Sequence, residues 1–146
     1  MTVTVDTNVL FQAFYSSKGA SHEILRKVRR GHLKMAISVS VFEEYRDVLS
    51  REENRRALSL TDDDVNTVLL FIAEVGLPTQ ISYSWRPNLR DEADNMFVEL
   101  AVASSSRYLI TRNIRDFEID ADLRNDDLGI VTPSEFLRRW RIDHEE

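Results

Sequence analysis

Short apolar segments that alternate with longer, helix-like segments constrain the fold of this chain more than any other feature. Five segments have the pattern of strands, at residues 1–5, 35–38, 80–83, 108–110 and 130–131. Segments with a helical period separate them, at about 20–31, 41–51, 62–75 and 92–105, and a last one ends near residue 140. Because strands connected through helices pair in parallel, we expect an α/β fold with a sheet covered on both faces.

Residues with capping chemistry place several helix ends. Gly31 and Gly76 are expected just beyond helix C-termini, where glycine is favoured. Thr61 and Thr132 are expected as N-caps, and Pro133 suits the first turn of the helix that follows. Local chemistry therefore supports the borders that periodicity indicates.

The composition is that of one folded domain. Of 146 residues, 42% are hydrophobic and 30% are charged, so the chain can bury a core, and we expect one domain over residues 1–146. No apolar run approaches the roughly 20 residues that cross a bilayer, and no leader-like segment opens the chain. We expect a cytoplasmic protein with no membrane partner. The absence of Cys excludes disulfides and thiolate metal ligands.

The net charge of −6 argues against nucleic-acid binding through overall charge. The positive residues are nevertheless grouped, and one group contains Arg26, Lys27, Arg29 and Arg30. Such a group is either a phosphate-binding patch or a solvated helix end whose charges complement the helix dipole. The sequence leaves both interpretations open.

Asp6 follows directly on the first predicted strand. In parallel sheets covered by helices, ligands bind beyond the carboxyl ends of the strands, which is where Asp6 is expected. The alternative is that Asp6 only caps the helix that begins after it.

Helical phase distinguishes the adjacent residues Glu43 and Glu44. At about 100° per residue, Glu44 borders the apolar stripe of its helix, whereas Glu43 points away from it. Glu43 also has a structural role available, in a capping box with Ser40 as N-cap. We therefore prefer Glu44 as a site residue, although it could instead lie at the rim of the stripe.

The same test places Asp94 inside a wide apolar arc of its helix, with Asn95 and Glu99 on the polar side. A carboxylate in that position needs an Arg, backbone donors or a metal, unless it only favours the helix N-terminus behind Asp91 as cap. Convergence of Asp6, Glu44 and Asp94 above a sheet would require a hard cation, since like charges repel, and oxygen ligands suit Mg²⁺ or Mn²⁺.

Four motifs in order resemble those of the PIN-domain nucleases, and among them the VapC-type toxins of bacterial toxin–antitoxin pairs. The similar segments are Val3–Leu10, Ile37–Tyr45, Asp91–Ala101 and Tyr108–Phe117, followed by Val131–Leu137. Each motif alone is weak evidence for the family, but the four occur in the family's order and the match covers nearly the whole chain.

The resemblance implies a five-stranded parallel sheet of order 3-2-1-4-5 with helices on both faces. It also implies a ribonuclease that uses Mg²⁺ or Mn²⁺ and a cluster of acids. Asp6, Glu44 and Asp94 are the expected metal ligands, and either Asp116 or Asn113 completes the site. Three further residues are expected to orient the ligands: Thr7, Asn8 and Thr111.

Because the net charge is negative, individual basic residues must supply the contacts to phosphate. Our candidates are Arg112, Arg26 and Arg30. The resemblance further implies an RNA substrate and association either with an antitoxin or as a homodimer. Two other functions remain open. One is a PIN-like module that binds RNA or protein without cleavage, which Asn113 would favour, and the other is a phosphotransfer or dehalogenase-like enzyme with Asp6 as nucleophile.

Overall fold

The computed structural model describes residues 1–81, 92–117 and 127–144. Within these ranges, five strands form one parallel sheet of order β3-β2-β1-β4-β5. The strands are β1 (Thr2–Val5), β2 (Lys34–Ile37), β3 (Leu77–Pro78), β4 (Tyr108–Ile110) and β5 (Gly129–Val131). The expected α/β class and strand order are confirmed.

Helices connect the strands in the described residues. They are α1 (Thr7–Tyr15), α2 (Ala20–Arg29), α3 (Val39–Ser50), α4 (Glu52–Leu58), α5 (Asp62–Val75), α6 (Glu92–Ala103) and α7 (Pro133–Asp143). A 3₁₀ turn at Ile114–Phe117 follows β4. None of the helices in the described ranges is long and apolar enough to span a membrane.

The central strand β1 shows that helices cover both faces of the sheet. Successive strand residues point to opposite faces, yet Val3, Thr4 and Val5 are all buried. The buried hydroxyl of Thr4 is paired with that of Ser106 at 2.9 Å. α1, α2 and α7 pack in series, while α3 packs against α5 and α6.

Several predicted helix ends are confirmed. Gly31 has a φ of +81° beyond α2, as the left-handed position after a helix requires. Thr61 and Thr132 accept hydrogen bonds as N-caps of α5 and α7. α6 ends at Ala103 rather than near residue 105, because the chain turns at Ser105, which has a φ of 54°.

The predicted capping box of Ser40 and Glu43 is wrong. Ser38 caps α3, with its Oγ accepting from the backbone N of Val41 at 3.2 Å, and Glu43 is an exposed residue within the helix. The reason is the short connection: β2 ends at Ile37, so a single residue both leaves the strand and starts the helix.

The strand predicted at 80–83 is also misplaced. β3 is Leu77–Pro78, and Gln80 and Ile81 lie outside it, while residues 82–83 fall outside the described ranges. A strand of this length is too short for an alternating pattern. Pro78 is tolerated because β3 is an edge strand.

Candidate active site

Asp6 lies where two neighbouring parallel strands end. It follows β1 and caps α1, with its Oδ1 accepting from the backbone N of Thr7 at 2.8 Å. Its Oδ2 accepts from the Oγ1 of Thr111, which follows β4, at 2.7 Å. The backbone N of Asp6 donates to the carbonyl of Ile110 at 2.9 Å. Asp6 is thus both a helix cap and a carboxylate fixed at the carboxyl edge of the sheet.

The surroundings of Asp6 oppose its ionisation. Burial raises the pKa of this carboxyl, whereas the hydrogen bonds from Thr111 and Thr7 act to lower it. The charges of Asp116 and Glu44 raise the pKa further. Negative charge is therefore concentrated around Asp6.

A cleft of about 380 Å³ opens above Asp6, and four acidic side chains predicted from the sequence line it. They are Asp6 after β1, Glu44 on α3, Asp94 on α6 and Asp116 in the 3₁₀ turn. The elements that carry them are distant in sequence. The sheet order and the packing of α3 and α6 around it bring them together.

Glu44 is held at the cleft by its neighbour Tyr45. The ring of Tyr45 is fully buried, and its hydroxyl donates to the carbonyl of Val5, the residue before Asp6. Burial, and secondarily the charge of Asp6, raise the pKa of Tyr45. Glu44 is half-buried at the cleft and Glu43 is exposed, in agreement with the helical-phase argument.

The expected orienting residues fall into two sets. Thr7 and Asn8 line the cleft, whereas Thr111 lies beneath it, fully buried. The backbone N of Asn113 donates to Thr111 Oγ1 at 3.0 Å, but Asn113 is exposed and does not line the cleft. Of the two candidates for the fourth acid position, the structure places Asp116 at the cleft.

One interpretation of α6 needs correction. Asn95, expected on the polar side, is buried, whereas Asp94 is half-buried at the cleft. α6 contacts β1, β2, β4, α3 and the 3₁₀ turn, so more of its circumference is covered than a surface helix would show. Asp91, the predicted cap, lies outside the described residues.

The donor set at the cleft fits a hard divalent cation. The carboxylates offer oxygen ligands only, and the Oγ1 of Thr7 is buried there without a hydrogen-bond partner in the described chain. Burial is the main cause that raises the pKa of Asp6, and the charges of Asp116 and Glu44 raise it further, so a cation at the cleft would favour the ionised carboxylate. Across residues 1–81, 92–117 and 127–144, however, no three acidic or His side chains converge closely enough to form a metal-binding group.

The predicted basic residues are not gathered at one place. Arg112 lines the cleft, where its backbone N donates to Asn8 Oδ1 at 3.2 Å. Arg26 instead lines a separate cavity between α2 and α7 and is paired with Glu23 at 3.3 Å. Arg30 follows α2 and lines neither cavity. Of these three arginines, only Arg112 lies at the cleft with the acidic side chains.

Sequence reasoning missed several residues of the cleft. Phe11, Val48, Asn54 and Phe97 also line it. Phe11 lies three residues after Asn8, so helical phase could have found it. Asn54 lies on the unpredicted helix α4, where its Nδ2 donates to the carbonyl of Val48 at 2.8 Å, and nothing in the sequence pattern singles it out.

The fold and the cleft define a class: an α/β protein with a parallel sheet and an acidic site at the carboxyl edge of its central strand. The family model described as PIN domain matches residues 2–115. The chain therefore belongs to the PIN-domain family, and membership supports nuclease as the class of activity.

A solved structure that matches this chain supports the fold. It is the VapBC2 complex from Rickettsia felis bound to a DNA fragment from its promoter, a chain of which matches with a TM-score of 0.56 and 16% identity. The match covers 90% of this chain and 98% of that one. Comparison with curated proteins gives no match.

Proposed function

We propose that this protein is a ribonuclease that hydrolyses RNA phosphodiester bonds with Mg²⁺ or Mn²⁺. The observation that carries the proposal is the meeting of Asp6, Glu44, Asp94 and Asp116 in one cleft of a PIN-domain fold. Carboxylates alone would repel a phosphate, so such a cleft suits a polyanionic substrate only together with a cation.

Each residue has a role that follows from its position. Asp6, Glu44, Asp94 and Asp116 would hold the ion directly or through water, and the ion when bound would activate a water and neutralise charge on the phosphate. Thr111 and the N-terminus of α1 orient the carboxylate of Asp6 through the two hydrogen bonds described above. Arg112 lies at the same cleft and would contact a phosphate oxygen.

The test compares wild type with Asp6→Asn on a single-stranded RNA, with Mg²⁺ and with EDTA. Asn keeps the size of the residue and one acceptor for the cap but removes a charge, so cleavage should fall at least about a hundredfold. Wild type in EDTA should be equally inactive. Asp63→Asn is the matched control, because Asp63 is exposed on α5 and away from the cleft. Undiminished cleavage by Asp6→Asn, or full activity in EDTA, would contradict the proposal.

The same assay separates the alternative functions. RNA binding without cleavage by the wild-type protein would indicate a binding module. A covalent adduct on Asp6, detected by mass spectrometry after incubation with substrate, would indicate the phosphotransfer or dehalogenase-like chemistry.

We further propose that the protein is the toxin of a toxin–antitoxin pair and associates either with an antitoxin or as a homodimer. The similar fold in a VapBC2 complex supports a partner protein. A short neighbouring reading frame that encodes a DNA-binding domain should be present, and its product should co-purify with this chain. Light scattering that shows a monomer at all concentrations, with no partner retained, would count against both associations.

A further inference from the structure

One face of α1 leads away from the acidic cleft. Asn8, Phe11, Gln12 and Tyr15 are spaced i, i+3, i+4 and i+7, so they share a side of the helix that extends about 10 Å along its axis. The apolar residues that α1 buries in the core lie on its other side: Val9, Leu10 and Ala13. Asn8 and Phe11 line the cleft, and Tyr15 lies beyond them in the last turn.

Phe11 and Tyr15 form a stacked aromatic pair on this face. Their ring centroids are 6.2 Å apart and their planes differ by 17°. Phe11 is half-buried at the cleft, whereas Tyr15 is 61% exposed. The inner ring therefore supports the outer one, and Tyr15 presents an aromatic surface beside the mouth of the cleft.

Gln12 and Arg112 place a polar and a cationic group on the same face of α1 as the aromatic pair. The Nη1 of Arg112 donates to Gln12 Oε1 at 2.8 Å, which holds the guanidinium against the same face of α1. Gln12 is neutral, and in the described part of the chain Arg112 forms no ion pair, so its positive charge is not offset there by a carboxylate bridge. A protein partner would bury an apolar patch, but the exposed ring of Tyr15 has polar groups beside it. A nucleotide offers both a π face for the ring and an anion for Arg112.

We propose that this face of α1 is a base-stacking subsite for single-stranded nucleic acid. A base that flanks the phosphate in the cleft stacks on Tyr15, while Arg112 contacts the backbone between them. The substrate is single-stranded because a base inside a duplex is already stacked on both sides and cannot offer a face to Tyr15. The subsite rests on the proposed function, since that function places the phosphate in the cleft.

Binding of a short fluorescent single-stranded RNA tests the subsite in an Asp6→Asn background with Mg²⁺. Fluorescence anisotropy should show that Tyr15→Ala weakens affinity about tenfold, within the range for loss of one stacked base. Tyr15→Phe should restore affinity, because it keeps the ring. Leu70→Ala, which truncates a 71% exposed side chain on α5, is the matched control and should leave affinity unchanged. Circular dichroism checks that each variant is folded.

A series of oligonucleotides, each with one abasic position, identifies the stacked base. The Asp6→Asn parent should lose affinity when one particular base is removed, and Tyr15→Ala should be insensitive at that position only. Equal binding of every oligonucleotide by Tyr15→Ala and its parent would overturn the subsite. So would failure of the parent to bind single-stranded RNA, or a change in oligomeric state on Tyr15→Ala without a change in affinity.

The outcomes distinguish the subsite from the proposed function. If wild type shows the abasic effect but never cleaves RNA, hydrolysis is wrong, while the placement of RNA at the cleft, on which the subsite rests, stands. If wild type cleaves and Tyr15→Ala cleaves the same position with unchanged KM, the subsite is wrong and the proposed function stands.

Discussion

At the scale of single residues, the carboxyl of Asp6 is held from two sides by groups that leave it little freedom. One oxygen accepts from the start of α1, and the other from Thr111 on the neighbouring strand end. Both bonds favour the ionised form, while burial and the charges of Asp116 and Glu44 oppose it. The site thus keeps a carboxylate in place against its own electrostatic surroundings.

Relief of this repulsion predicts that Asp6→Asn is more stable than wild type when divalent cations are removed. An Asn can still accept from the backbone N of Thr7, but it no longer repels Asp116 and Glu44. Thermal unfolding in EDTA should show a Tm higher by about 2–4 °C, the shift that 1 kcal/mol gives in a domain of this size. A lower Tm for Asp6→Asn would show that its hydrogen bonds outweigh the repulsion.

Adjacent glutamates on α3 give a second prediction. Glu44→Gln should reduce cleavage at least about a hundredfold, or roughly 2.7 kcal/mol in the barrier, because it removes a charge at the cleft. Glu43→Gln should be nearly silent, with stability within about 0.5 kcal/mol, since Glu43 is exposed. Both variants should be assayed at limiting and saturating Mg²⁺. Inactive Glu43→Gln together with active Glu44→Gln would require the site to be redrawn.

At the scale of elements, the pattern of the sequence was sufficient where an element is long or its chemistry is local. The phase of α3 separated Glu44 from Glu43, and Gly31 and Thr132 marked helix ends correctly. Two short elements were not predicted correctly. β3 has only two residues, and α4 begins directly after Arg51, whose extended backbone ends α3. The burial of Asn95 was not predicted because it depends on which elements pack around α6, and the periodicity of the sequence does not contain that information.

The alternating pattern at the start of the chain was informative in a different way. The alternation of apolar and polar residues located β1, but it could not show that Thr4 is buried like its neighbours. A hydroxyl is tolerated there only because Ser106 pairs with it. A partner 102 residues away cannot be found from local sequence.

In α7, the pKa shift of Glu135 predicts how stability depends on pH. Hydrogen bonds from Arg138, and then from Arg139, lower the pKa of Glu135 to about 2. A carboxylate with a depressed pKa in the folded state stabilises it above the unfolded pKa of about 4.3, and that contribution is lost as pH falls towards 2. Urea unfolding of wild type and Glu135→Gln should therefore differ most near neutral pH and converge near pH 2.

A matched control for this prediction is Glu74→Gln. Glu74 is exposed on α5 and forms no ion pair in the described part of the chain. Its substitution should leave the difference in unfolding free energy flat across the same pH range. A constant difference for Glu135→Gln would mean that the two arginines do not act through its charge.

At the scale of the whole molecule, a cation bound in the cleft would link Asp6 after β1 to acidic residues on α3, on α6 and in the 3₁₀ turn after β4. Such binding should stabilise the fold by about 2.7 kcal/mol when the free ion is at a hundred times its Kd. Differential scanning calorimetry with Mg²⁺ or Mn²⁺ should thus show a higher Tm than in EDTA. The increase should shrink in Asp6→Asn and persist in Asp63→Asn, and an equal increase in all three would place the ion elsewhere.

The hydrogen bond between Asp6 and Thr111 spans 105 residues. At roughly 5–20 residues per second, a ribosome makes Thr111 about 5–20 s after Asp6. Until β4 has emerged and paired with β1, the earliest acid of the cleft lacks the hydroxyl that orients it, and Asp116, which follows β4, is not in place. The first site residue is therefore made well before the site can be completed, and a growing chain that has not yet exposed β4 does not carry the assembled cleft.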